Sequence, residues 1–247
     1  MIKLYDIYKL LSEGISYDKS YKIDYDKDFV NDLIRFSDKL SFQKDTYDNT
    51  IMVGIPISQS ENKNVLINDL KLGVGLSKDE QSFIIDRVVN NINDYIDINS
   101  FDYVISPKSS SSLVKNFLDI LSSLNKKTIF IDNMFLKNDF KNIWLDIELA
   151  KKERPNKYVK SLIKRFDKLK SSDKEYFKLQ PLNKYERRYV RDMLKVNPEH
   201  TNIIYDMMDK NILIVDDILT SGKTFDDIKN MLNVFNIKNV TFFSMFG

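Results

Sequence analysis

Apolar residues fall along this chain in two rhythms: a spacing near 3.6 that predicts helices, and short unbroken runs that predict strands covered on both faces. In residues 1–24, Ile2, Leu4, Tyr5, Ile7, Tyr8, Leu10 and Leu11 suit a short helix that Gly14 ends. From Asp26 to about Leu40, Phe29, Val30, Leu33, Ile34 and Phe36 recur at helical spacing opposite a face of Asp and Lys, so an amphipathic helix is expected. Thr50–Ile57 and Val65–Leu70, separated by a polar turn, read as a β-hairpin. Ser77-Lys78-Asp79-Glu80 has the form of a capping box, and Phe83, Ile84, Val88, Val89 and Ile92 continue that helix to about Tyr95.

The second half reads more clearly. Phe101–Pro107 predicts a strand, Lys108–Ser112 a small polar loop, Leu113–Leu124 a helix and Lys127–Asp132 a second strand, together a βαβ unit with a right-handed crossover. Residues 134–200 interrupt this core with helical spacings such as Tyr158, Leu162, Ile163, Phe166 and Leu169 in charged surroundings, and Trp144 is assigned to the interior of that insertion. Asn211–Val215, four of its five residues branched apolar, reads as a strand buried on both faces, followed by a helix from Phe225 to Phe235 and a last strand over 239–247. The expected fold is α/β, a mostly parallel central sheet flanked by helices. The expected division is an N-terminal α/β region over 1–98 and a core over 99–247, interrupted by the 134–200 helical insertion.

Composition narrows the function classes. The 247 residues hold 38 Lys plus Arg against 36 Asp plus Glu, a formal net charge of +2, so charge gives no general reason to expect a nucleic-acid partner. Cysteine is absent and histidine occurs once, which removes disulfides, thiol nucleophiles and Cys/His metal clusters; His200 is read as a loop residue. Charges interrupt the N-terminus from Lys3 onward and no apolar run approaches membrane-spanning length, so the expectation is a cytoplasmic protein without a signal peptide or membrane contact. The most basic cluster, Lys184–Arg191, could contact phosphate or RNA. A solvated helix face is preferred there, because Glu186 and Asp192 dilute the charge.

The chemistry gathers after the strand Asn211–Val215. Asp216 and Asp217 stand at its C-terminal end, where open α/β sheets bind ligands. Thr220, Ser221, Gly222, Lys223 and Thr224 then lead into a helix, so backbone N–H groups and the helix dipole converge on a phosphate-sized point. Gly222-Lys223-Thr224 also ends a Walker A loop, but that loop needs a glycine where Asp217 stands. The bland alternative is a core strand ending in a solvated acidic pair before a capped helix.

An apolar strand, two acids, two variable residues and then Thr-Ser-Gly-Lys-Thr is similar to the binding signature of the type I phosphoribosyltransferases, and every position of it is filled. The resemblance spans roughly residues 100–133 and 205–247. It implies phosphoribosyl diphosphate with Mg2+ as ligand, Thr220, Ser221, Gly222, Lys223 and Thr224 on the 5-phosphate, and Asp216 and Asp217 at the ribose hydroxyls and metal as the catalytic pair. Lys108, Ser109 and Ser110 would hold the pyrophosphate, although the family often has glycines there. It further implies a hood-like N-terminal region, a lid at the position of the insertion, and an acceptor nitrogen such as a nucleobase; a homodimer is compatible with it. The family often uses a segment after the last strand to hold the base, whereas here the sequence stops at Gly247, so base recognition is expected from residues 1–75, from the insertion, or not at all. A second hypothesis is a protein of this fold without transfer activity that senses a phosphoribosyl ligand or binds RNA or protein.

Overall fold

The unbroken apolar runs lie where burial on both faces predicts, in the middle of one sheet. The computed structural model describes residues 41–55, 78–109, 112–171 and 182–247. The helices expected within 1–40, the strand Val65–Leu70 with its turn, Ser77 of the capping box, Ser110 and Ser111 lie outside the described residues.

In chain order, β1 (Ser41–Lys44) and β2 (Thr50–Ile55) form an antiparallel hairpin with its tip at Asp45–Asn49. Thus the described antiparallel partner of β2 is Ser41–Lys44, ahead of it in the chain. Then come α1 (Lys78–Tyr95), β3 (Tyr103–Pro107), α2 (Leu113–Leu124) and β4 (Ile129–Lys137). The insertion holds β5 (Trp144–Leu145), α3 (Ile147–Glu153), α4 (Asn156–Lys170), α5 (Lys184–Arg187) and β6 (Val190–Arg191). The core resumes with β7 (Leu194–Val196), α6 (Thr201–Asp206), β8 (Ile212–Ile218), α7 (Lys223–Val234) and β9 (Val240–Phe246).

Seven strands form one sheet in the order β1-β2-β9-β8-β3-β4-β7, parallel from β2 through β4 and antiparallel at both margins. The fold is therefore α/β with a mostly parallel sheet. Alternation along the central strands feeds two cores: Val104, Leu213, Val215 and Phe243 pack under α1 and α2, while Tyr103, Ile105, Ile212, Ile214 and Phe242 pack under α6 and α7. Residues on both sides of position 98 share this sheet and its cores, since β2 pairs with β9 and α1 packs beside α2.

Two expectations shift in detail. The strand expected to end at Asp132 runs on to Lys137, because Asn133 takes a φ of 57°, with its backbone N–H and amide both donating to the Asp132 carboxylate, and the continuation pairs with β7. The insertion therefore leaves the sheet after Lys137 and builds a third core from Leu145, Ala150, Val159, Leu162, Phe166, Leu182 and Tyr189. Trp144, expected inside it, is 48% exposed and donates its indole N–H to Asp192, 2.6 Å away. Among the described residues no helix is long and apolar enough to cross a membrane.

Candidate functional site

β3 and β8 are neighbours in the sheet, yet the helices that follow them lie on opposite faces, α2 in one core and α7 in the other. A crevice must open where such connections diverge, and it opens at the C-terminal ends of the strands. Asp216 and Asp217 stand in the last turn of the pleat of β8, just before its final residue Ile218. Because successive side chains alternate, the two carboxylates part to opposite sides of the sheet. Asp216 lines a pocket of about 70 Å³ together with residues 218–225. Asp217, 9% exposed, accepts a hydrogen bond from the Ser109 hydroxyl at 2.9 Å, in the loop after β3. The acidic pair is thus the seam between the loops the sequence singled out.

The loop over 220–224 is braced from below. Gly222 takes φ +76°, a left-handed conformation, and a Cβ there would lie 2.1 Å from the Asp45 carboxylate. Asp45 cannot swing aside cheaply, since it accepts hydrogen bonds from the backbone of Tyr47 and Asn49 and from the Asn49 amide. Thr46 adds a hydroxyl bond to the Ser221 carbonyl at 2.7 Å. The tip of the β1–β2 hairpin therefore sets the shape of the loop. The first helical amide of α7 to reach a carbonyl a turn earlier is that of Asp226, bonded to Gly222, so the amides of Lys223, Thr224 and Phe225 precede any such partner and form the positive end of the helix.

Lys223 contributes its amide but not its charge. Its ammonium turns back to pair with Asp226 and Asp227, lies over the Tyr47 ring and is 4% exposed. Burial pushes the Asp227 carboxyl up to about 6, with Lys223 opposing the shift. Tyr47 is pushed up as well, first by burial and then by the fields of Asp226 and Asp227. The Tyr47 hydroxyl and one Asp227 oxygen are buried without a hydrogen-bond partner among the described residues.

On the other side of the seam, Lys108 is exposed and its backbone N–H is bonded to the Phe135 carbonyl at 2.7 Å. That amide is thereby taken, and what Lys108 can offer an anion at this loop is its exposed ammonium. The Ser109 hydroxyl faces Asp217, and Ser110 lies outside the described residues. A larger pocket of about 400 Å³ lies between α2 and β4, lined by Asp119, Lys126, Thr128 and Asp132 among others. Its Asp132 carboxylate accepts a hydrogen bond from the Ser106 hydroxyl of β3 at 2.7 Å.

The structure adds one residue to the site. Arg187, at the end of α5 in the insertion, lines the same pocket as Asp216 and the 220–224 loop. The expected solvated helix face over Lys184–Arg191 is replaced by a four-residue helix followed by a short strand, with Glu186, Tyr189 and Val190 buried, Arg188 paired with Glu153 and Arg191 with Asp146. The capping box between Asn183 and Glu186 is the local signal that fixes this short helix.

Two adjacent carboxylates suit magnesium, which keeps several waters and takes its other oxygens from substrate phosphates. Asp216 and Asp217 bring one carboxylate each to the two sides of this crevice rather than a shared pair, and among the described residues no group of three or more His, Cys, Asp or Glu forms a fuller donor set. A scan of the chain against protein-family models gives no match, and a search of curated proteins gives none either.

Proposed function

We propose that this chain binds phosphoribosyl diphosphate at the β3–β8 crevice and transfers its phosphoribosyl group to a nitrogen acceptor, on a fold like that of the type I phosphoribosyltransferases. The observation that carries this reading is the seam itself: Asp216 faces the braced phosphate loop while Asp217 is hydrogen-bonded to Ser109 of the loop after β3. A ligand with a monophosphate at one end, a diphosphate at the other and a diol between them meets donors, cation and carboxylates in that order.

Each residue then has a defined task. The amides of Lys223 and Thr224, with the hydroxyls of Thr220, Ser221 and Thr224, hold the 5-phosphate. Asp216 and Asp217 accept hydrogen bonds from the ribose hydroxyls and stabilise positive charge that develops at C1. The Lys108 ammonium attracts the diphosphate. Magnesium, when bound, neutralises diphosphate charge and so improves it as a leaving group. The C1–oxygen bond breaks with its electron pair leaving on pyrophosphate, the acceptor nitrogen bonds to C1, and the acceptor's proton passes to solvent. Most of the rate gain is positional and electrostatic.

Calorimetric titration with phosphoribosyl diphosphate and magnesium tests this directly. Saturable binding by the unaltered chain, abolished in Asp216→Asn/Asp217→Asn, is the expected result; no binding by the unaltered chain rejects the reading. Pyrophosphate release across a panel of bases then separates transfer from ligand sensing, and silence with every base would favour the sensor.

A further inference from the structure

The cradle at 220–224 has amides and hydroxyls, but its own lysine lends no charge. Lys223 is held by Asp226 and Asp227, and Lys229 on the same helix bonds to Asn49 at 2.7 Å. A phosphate monoester is dianionic near neutral pH, so a small pocket that takes one gains from a desolvated cation. Arg187 lines that pocket, is half-buried, and its described hydrogen bond runs from Nε to the Leu182 carbonyl at 2.9 Å, which orients the guanidinium and leaves both terminal NH2 groups as donors. Among the described residues no carboxylate pairs with it, in contrast to Arg188 on Glu153 and Arg191 on Asp146. Burial holds its pKa below the usual arginine value, with Tyr47 opposing the shift.

Resting on the reading of that loop as a phosphate cradle, we propose that Arg187 is the cation for the phosphate monoester held at Thr220–Thr224, so that the insertion supplies part of the ligand site and selects phosphorylated over unphosphorylated ribosyl compounds. The placement has a firm base. Glu186, 1% exposed, accepts from the Asn183 backbone and pairs with Arg165, and Tyr189 is fully buried with its hydroxyl on Glu153 at 3.0 Å. Arg187 is thereby carried on a short, pinned segment between two buried anchors. A planar fork held by its Nε suits bidentate contact with phosphate oxygens better than a lysine would.

The test is calorimetry on the full chain with ribose 5-phosphate, comparing the unaltered protein with Arg187→Gln and Arg187→Lys. Arg187→Gln should lose roughly 10- to 100-fold in affinity, the range of a lost charge-assisted hydrogen bond, with Arg187→Lys recovering part of it. Affinity of the unaltered protein should rise between pH 5 and 7.5 as the phosphate gives up its second proton near pH 6, and Arg187→Gln should flatten that rise. A purely structural arginine would lower the unfolding midpoint without changing this pH profile. Equal affinity and equal profiles in the two proteins would overturn the role of Arg187 while leaving the cradle intact. No binding of ribose 5-phosphate by the unaltered chain would overturn both.

Discussion

Single residues set the sharpest tests of the site. Gly222→Ala must accept a left-handed φ and a Cβ inside the Asp45 carboxylate, so it should cost about 1–3 kcal/mol of stability and weaken phosphate binding. Adding Asp45→Ala removes the collision. Its cost in the Gly222→Ala background should therefore be smaller than in the unaltered chain, and strictly additive urea midpoints would mean the conflict is not real. Asp227 offers a pH test. Its carboxyl is raised from 3.8 to about 6, burial being the main cause, so the folded state binds its proton more tightly than the unfolded chain does. Stability from that proton is fully present below about pH 4 and is lost as pH rises through about 6, a change of up to about 3 kcal/mol. Asp227→Asn should flatten this part of the urea-unfolding profile; parallel profiles for the two proteins would contradict it.

At the scale of elements, local periodicity was a good guide where an element buries a broad face, and a poor one where distant chain segments create it. The helix over Leu113–Leu124 was legible because Leu113, Val114, Phe117, Leu118 and Leu121 all turn inward at helical spacing. β8 was legible because Ile212–Val215 are buried on both faces. β1 was not: Ser41-Phe42-Gln43-Lys44 has no apolar run, Phe42 is 66% exposed, and the strand exists through pairing with β2. The loop over 220–224 and the acidic pair before it stand out in the sequence as a local string, but the bracing of Gly222 by Asp45 and the approach of Arg187 join residues far apart in sequence, which no local pattern encodes. The two loops at the seam also make a directional prediction. Lys108 lies on the β3 side, away from the cradle after β8, so Lys108→Ala should weaken pyrophosphate binding by roughly 10-fold and ribose 5-phosphate binding far less. Equal losses in paired titrations would mean that the diphosphate lies elsewhere.

For the whole molecule, the question is whether the insertion behaves as part of the sheet or as a unit of its own. Its core of Val159, Leu162, Phe166, Leu182 and Tyr189 is separate from both cores of the sheet, and it leaves and re-enters through β4 and β7 at one margin. A compact cluster joined by so narrow a base can open without unfolding the rest. Leu162→Ala removes a fully buried side chain at a local cost of about 2–5 kcal/mol. Hydrogen exchange should then quicken across α4 and β6 while β3, β8 and β9 keep their protection. Because Arg187 rides on this unit, the same variant should bind ribose 5-phosphate more weakly in proportion to the fraction of molecules whose insertion is open. Saturating ligand should restore protection to 184–191 along with the 220–224 loop. Uniform loss of protection across all strands would mean that insertion and sheet fold as one unit, and unchanged protection at 184–191 on ligand addition would mean that the insertion takes no part in holding the phosphate.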